Sequence, residues 1–166
     1  TDLHEDRIVG WFEGGSETGP RALGHRSILA NATRAENWPR VNALKRREAW
    51  RPFAPAVLEQ DAEDWFEGCP IPSPYMLFNA QVKGSGLPAI THVDGTARIQ
   101  TVDPSCGQFF HVLTEYKALS GIPVVLNTSF NGPGEPIVET PTEALRFLTE
   151  NDIDSVYIDG RRFTRR

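Results

Sequence analysis

Glycine and proline set the grain of this chain. Fourteen glycines and thirteen prolines are spread over 166 residues, so no stretch supports a long uninterrupted helix. The segments between them are short and of mixed type. Ile8 to Phe12, Ala54 to Leu58, Tyr75 to Phe78, Ile122 to Leu126 and Ser155 to Ile158 read as strands. Arg98 to Val102 alternates and predicts one half-buried strand. Helical spacing covers Glu36 to Lys45, through Trp38, Val41 and Leu44, and Phe109 to Leu119, which Gly121 ends; a short helix falls around Ala62 to Phe66. Thr140-Pro141-Thr142-Glu143 is a capping box opening a helix that buries Ala144, Leu145 and Leu148. The alternation is too irregular for a doubly wound sheet and predicts a mixed α/β sheet with helices on its faces.

An apolar content of 39% in this length is enough for one domain with a real core. The net charge of -5 argues against a general nucleic-acid surface. No apolar run approaches the roughly 20 residues that cross a bilayer. Cys69 and Cys106 form no C-x-x-C pair and read as reduced thiols of a cytoplasmic protein. The sequence starts at Thr1 and soon enters a buried strand, which predicts a domain cut from a longer chain.

Within this acidic chain, positive charge is concentrated. Arg21, Arg26, Lys45, Arg46, Arg47 and Arg51 fall in two short segments beside turn-forming residues. Arginine presents a planar fork of donors that matches phosphate or carboxylate oxygens, and lysine adds a point charge. The turn Glu13 to Gly19, with a short helix expected from Pro20, resembles an anion cradle but lacks the G-x-x-x-x-G-K-[ST] pattern. Solvated arginines on a tight turn explain Arg21 and Arg26 about as well. Helix-end charges placed to suit the helix dipole explain part of the second cluster, above all Arg46. Pro52 and Pro55 around Phe53 restrict the backbone that carries Arg51.

A third element follows the most apolar strand. Asn127, Ser129 and Asn131 offer short polar side chains at a strand's carboxyl end, where α/β sheets bind ligands. They suit phosphate, ribose or a carbamoyl amide; a simple turn closing the strand is the alternative. His92 and Asp94 form an H-x-D pair with too few partners for a metal site, and no metal ligand set is assigned.

Gly19-Pro20-Arg21-Ala22-Leu23-Gly24-His25-Arg26-Ser27, Lys45-x-Arg47-Glu48-x-Trp50-Arg51-Pro52-Phe53-Ala54-Pro55, Thr91 to Val102 and Pro123 to Asn131 together resemble the C-terminal domain of the NodU/CmcH/TobZ O-carbamoyltransferase family, over essentially the whole chain. The resemblance implies a YrdC-like fold, a twisted mixed α/β sheet with flanking helices and a central basic cavity. It implies that residues 1–166 bind carbamoyl phosphate and ATP with Mg²⁺ and form carbamoyladenylate. A separate N-terminal domain of the parent chain, which carries iron, then transfers the carbamoyl group to an acceptor hydroxyl. Carried over by motif, Lys45 and Arg51 take the catalytic role. Arg21, Lys45, Arg47, Arg51 and Arg98 hold the substrate, and Arg21, Arg98, Asn127, Ser129 and Asn131 the nucleotide. The YrdC K-x-R and S-x-N signatures find echoes in Lys45 to Arg47 and Ser129 to Asn131. Two alternatives stay open: a nucleotide- or anion-binding module without turnover, and a threonylcarbamoyladenylate synthase. Trp11, Trp38, Trp50 and Trp65 are candidates for the interdomain surface.

Overall fold

A computed structural model describes residues 1–165. Its strands in chain order are β1 (Val9–Phe12), β2 (Arg26–Asn31), β3 (Ala54–Leu58), β4 (Phe66–Glu67), β5 (Asn79–Val82), β6 (Thr96–Arg98), β7 (Gln100–Val102), β8 (Val124–Ser129), β9 (Ser155–Ile158) and β10 (Arg161–Phe163). The helices are α1 (Asn37–Leu44), α2 (Ala62–Trp65), α3 (Gln108–Ser120) and α4 (Pro141–Glu150). Seven strands form a mixed sheet in the order β10-β9-β1-β2-β8-β3-β7, and β4-β5-β6 form a smaller antiparallel sheet. Within the large sheet β1/β9 and β3/β7 are parallel pairs, and the rest are antiparallel.

Both faces of the large sheet are covered. Val9, Trp11, Leu29, Ala56 and Val125 meet Phe109, Leu113 and Tyr116 of α3 on one face. Ile8, Phe12, Ile28, Val57, Val124 and Leu126 pack on the other, with Val41 of α1, Phe147 of α4 and Ala97 of the small sheet. All six residues of β2 are buried, as in β1 and β3, but Arg26, Ser27 and Asn31 flank its short apolar run, and the segment carries no strand signal in sequence. No helix starts at Pro20. Residues 20–25 are irregular, with bends at 20 and 23–25, and the chain goes straight into β2.

Two further expectations change. The expected strand Tyr75 to Phe78 is a loop, broken by Met76 in the left-handed region (φ 53); only Met76 is buried, and the strand begins at Asn79. Arg98 to Val102 is two strands parted at Ile99, one in each sheet, and Gln100 to Val102 are buried because α3 and the Ser73 segment cover them. Leu145 is half-buried, and Phe147 takes the core position. The capping box is present: Thr140 Oγ1 accepts from the Glu143 amide at 3.3 Å, and Glu143 Oε2 from the Thr140 amide at 2.9 Å.

Candidate functional site

The topology gathers the motifs at one end of the large sheet. β8 runs antiparallel to both β2 and β3, so its carboxyl end lies beside the starts of those strands, with Ser129 opposite Ser27 and Asn127 opposite Ala54. The loops leading into β2 and β3 are the ones that carry Pro20-Arg21-Ala22 and Arg47 to Phe53. A cavity of about 120 Å³ opens there, and Arg21, Arg47, Arg98, Asn127 and Ser129 all line it, with Phe53 and Met76. Three guanidinium groups and no carboxylate face this space.

Each cation is held differently. Lys45 caps the end of α1 and is 7% exposed. Its Nζ donates to Ser129 O at 2.6 Å and Asn131 Oδ1 at 2.7 Å, with Asn131 O at 3.2 Å and Ser129 Oγ at 3.3 Å. The K-x-R and S-x-N segments, more than 80 residues apart, thus meet through one ammonium group. Burial, then Arg47 and Arg51, pull Lys45 down to about 7. Arg47 lies over the Phe53 ring, with its guanidinium carbon 4.1 Å from the centroid. It donates from Nε to Asn42 Oδ1 at 2.6 Å and from Nη2 to Pro52 O at 3.2 Å; burial and Arg51 lower it to about 10. Arg98 is lowered by burial and by Arg21.

Two polar atoms of lining residues are shielded from water and have no partner among the described residues: Asn127 Oδ1 and Arg98 Nε. Asn127 is itself fixed, donating from Nδ2 to Gln100 Oε1 at 2.9 Å and Ala22 O at 3.2 Å. The side chain is thus fixed beside the cavity, with its Oδ1 buried and without a partner among the described residues.

Not every candidate reaches this lining. Arg51 is exposed and pairs with Glu48 at 3.6 Å, while its backbone carbonyl accepts from Trp38 Nε1 and Asn42 Nδ2. Asn131 sits behind Ser129, with its Oδ1 taken by Lys45 and the Ser129 hydroxyl and its Nδ2 on Glu135 O. Arg26, grouped by sequence with the site cations, is buried. It lies 3.4 Å over the Phe12 ring and donates to Glu13 O, His25 O and Gly14 O at 2.7–2.9 Å, so it fastens the glycine-rich turn. Arg46 is exposed. His92 and Asp94 serve a turn: Asp94 Oδ1 accepts from the Thr96 amide and hydroxyl, and His92 Nδ1 lies 3.2 Å from Thr96 Oγ1.

Sequence reasoning passed over three supports. Gln100 links Leu23 O to Asn127, and Asn42 grips both Arg47 and the Arg51 carbonyl. Glu17 Oε1 accepts from the amides of Leu23, His25 and Arg26. Gln100 stood inside the family-like segment Thr91 to Val102; Asn42 and Glu17 carried no local signal.

The chain is 45% identical over 161 residues to nodulation protein NolO of Bradyrhizobium diazoefficiens, covering 91% of this chain and 29% of that protein. It is 41% identical to nodulation protein U of Sinorhizobium fredii (95% and 28%) and 37% identical to 3'-hydroxymethylcephem-O-carbamoyltransferase of Amycolatopsis lactamdurans (96% and 31%). The chain therefore spans less than a third of the length of these relatives. Among solved structures, full-length HypF in its phosphate- and nucleotide-bound form superposes with a TM-score of 0.64 at 21% identity, covering 93% of this chain and 25% of that one. P. abyssi Sua5 gives 0.61 at 15% identity, covering 96% and 44%. These likenesses establish a shared YrdC-like fold. Residues 1–165 match the family described as Carbamoyltransferase C-terminus, and the chain belongs to that family.

Proposed function

We propose that this domain binds carbamoyl phosphate and ATP in the basic cavity and forms carbamoyladenylate for transfer of the carbamoyl group to a hydroxyl acceptor. The observation that carries the reading is the lining itself: Arg21, Arg47 and Arg98 converge with no carboxylate among them, and a buried Lys45 stands behind Ser129. The cavity, about 120 Å³, is of a size that suits phosphate- and carbamoyl-sized groups. The nucleoside of ATP then extends beyond the enclosed space. The HypF neighbour was solved with phosphate and nucleotide, and one relative is named an O-carbamoyltransferase, which supports the same choice of ligands.

In this scheme water hydrolyses carbamoyl phosphate to carbamate and inorganic phosphate. A carbamate oxygen then attacks the ATP α-phosphorus, and the bond to the leaving pyrophosphate breaks. Crowding these anions is the main barrier, and preorganised guanidinium groups offset the repulsion without having to reorient. Arg47 is locked by Asn42 and Phe53, and Arg98 stands with Arg21 in the lining. Asn127 holds the Ala22 carbonyl and so fixes the approach to the cavity. With no carboxylate in the lining, Mg²⁺ fits only as an ion carried by the nucleotide phosphates. Trp50, Tyr75, Leu77 and Phe78 are exposed on the loops that supply Phe53 and Met76, and the N-terminal domain of the parent chain would cover them.

Calorimetric titration tests the reading. We expect saturable binding of carbamoyl phosphate and of Mg²⁺–ATP, each weakened at least tenfold in Arg98→Ala without loss of the fold. Absence of binding by the wild-type protein would overturn it. Pyrophosphate release that requires threonine and bicarbonate would reassign the domain to threonylcarbamoyladenylate synthesis.

A further inference from the structure

The glycine-rich turn was a candidate anion cradle; instead it supplies an anion of its own, Glu17, which the amides of the following segment hold. Glu17 Oε1 accepts from the Leu23 amide at 2.6 Å, the His25 amide at 2.8 Å and the Arg26 amide at 3.3 Å. A carboxylate gathering several backbone N–H groups is a strong, charge-assisted arrangement. It ties residue 17 to residues 23–26 and closes a short arch with Pro20-Arg21-Ala22 between its ends.

Other bonds fix the arch where it meets the sheet. Arg26 clamps the carbonyls of Glu13, Gly14 and His25, Gln100 holds Leu23 O, and Asn127 holds Ala22 O. The Arg21 side chain alone is left uncommitted. It is exposed, makes no side-chain hydrogen bond or ion pair among the described residues, and lines the cavity. Among the described residues, the hydrogen bonds that tether the outer limb of the arch are those of Glu17, and Ser16, Thr18, Gly19 and Pro20 are exposed.

We infer that Glu17 is a positioning residue: its carboxylate fills the amide nest of residues 23–26 and so presets the Arg21 guanidinium toward the cavity's anionic ligand. This rests on the proposed use of the cavity for phosphate-bearing substrates. An untethered arch would have to be ordered on binding, and that entropy would be lost from affinity. The same carboxylate keeps the nest itself from being a ligand site, so the anion is directed to the guanidinium groups.

The test is a double-mutant cycle on Mg²⁺–ATP and carbamoyl phosphate binding with Glu17→Ala, Arg21→Ala and the pair, together with amide hydrogen exchange. Glu17→Ala is expected to weaken binding about tenfold, or ~1.4 kcal/mol, and to add little once Arg21 is alanine. Exchange at the amides of Leu23, His25 and Arg26 should accelerate at least tenfold in Glu17→Ala while amides of β2 and β8 stay protected. Glu17→Gln keeps an acceptor oxygen and should recover part of the affinity.

Additive losses would overturn the inference, as would unchanged exchange at the three amides or tighter binding in Glu17→Gln. If the wild-type protein binds neither ligand, the proposed function fails and this role of Glu17 falls with it. If Arg21→Ala weakens binding and Glu17→Ala does not, only the role of Glu17 fails.

Discussion

Lys45 is a buried cation surrounded by neutral oxygens and by two other cations, with no carboxylate to balance it. Such a group is stabilised by any anion that arrives nearby. In the free protein it titrates near 7, and a bound phosphate raises that value, so binding takes up a proton. Ligand affinity should be greatest below pH 7 and fall as pH rises through 7 to 9, by up to tenfold per pH unit. Measuring Kd for Mg²⁺–ATP across that range checks this; in Lys45→Met the trend attributable to this group should vanish. The sign for stability is the reverse. The folded value lies below the ordinary 10.5, so between about 7 and 10.5 the unfolded chain holds more protons and stability rises with pH. Urea unfolding of wild type and Lys45→Met at pH 7 and pH 10 should show the wild type gaining relative to the variant at the higher pH. A difference that does not change with pH would mean that Lys45 titrates at its ordinary value in the folded state.

At the scale of elements, short apolar runs and an explicit cap were legible. Ala54–Leu58 and Ser155–Ile158 form where the sequence predicts them, although both are largely buried, and Thr140 and Glu143 mark the start of α4. β2 is as buried as β3 but was not legible, because the polar Arg26, Ser27 and Asn31 flank its short apolar run. The break at Ile99 was hidden for a different reason: both halves are extended, and only tertiary pairing distinguishes one strand from two. Of the cavity lining, residue types pointed to Arg21, Arg47, Asn127 and Ser129 and the family resemblance to Arg98, with Lys45 buried behind Ser129; Arg26 and Arg51 look alike in sequence and end up respectively buried and solvent-facing. The approach to β2 depends on backbone geometry as well. Gly24 has φ 113, and a Cβ there would collide with the Phe109 ring of α3. Gly24→Ala is expected to cost roughly 2–5 kcal/mol, from strained backbone plus overpacking. Gly14→Ala, at φ 50 with open space around it, should cost about 1 kcal/mol. Thermal unfolding of the two variants gives the comparison; equal costs would show that the helix does not constrain this turn.

The whole molecule divides its labour between the sheet and the loops at one of its ends. The two cores on opposite faces hold β8 rigid, so Asn127 and Ser129 are presented from a fixed strand, while Arg21 and Arg47 come from loops that are individually tied down. Of the four tryptophans, only Trp50 is strongly exposed, at 73%; Trp11 is buried, and Trp38 and Trp65 are half-buried. Trp50, Tyr75, Leu77 and Phe78 form an apolar fringe near a cavity whose proposed product hydrolyses in water, so the chemistry needs a cover that these loops do not supply themselves. This predicts a separation of half-reactions. Given carbamoyl phosphate and Mg²⁺–ATP, the protein alone should release phosphate and pyrophosphate, with the carbamoyladenylate lost to hydrolysis, and should carbamoylate no added hydroxyl compound. Pyrophosphate release measured with and without candidate acceptors checks this. Release independent of acceptor assigns adenylation to these residues and transfer to the rest of the longer relatives. Carbamoylation of an acceptor by this chain alone would place both steps in one cavity. Tight nucleotide binding without any pyrophosphate would make the domain a binding module whose chemistry depends on its cover.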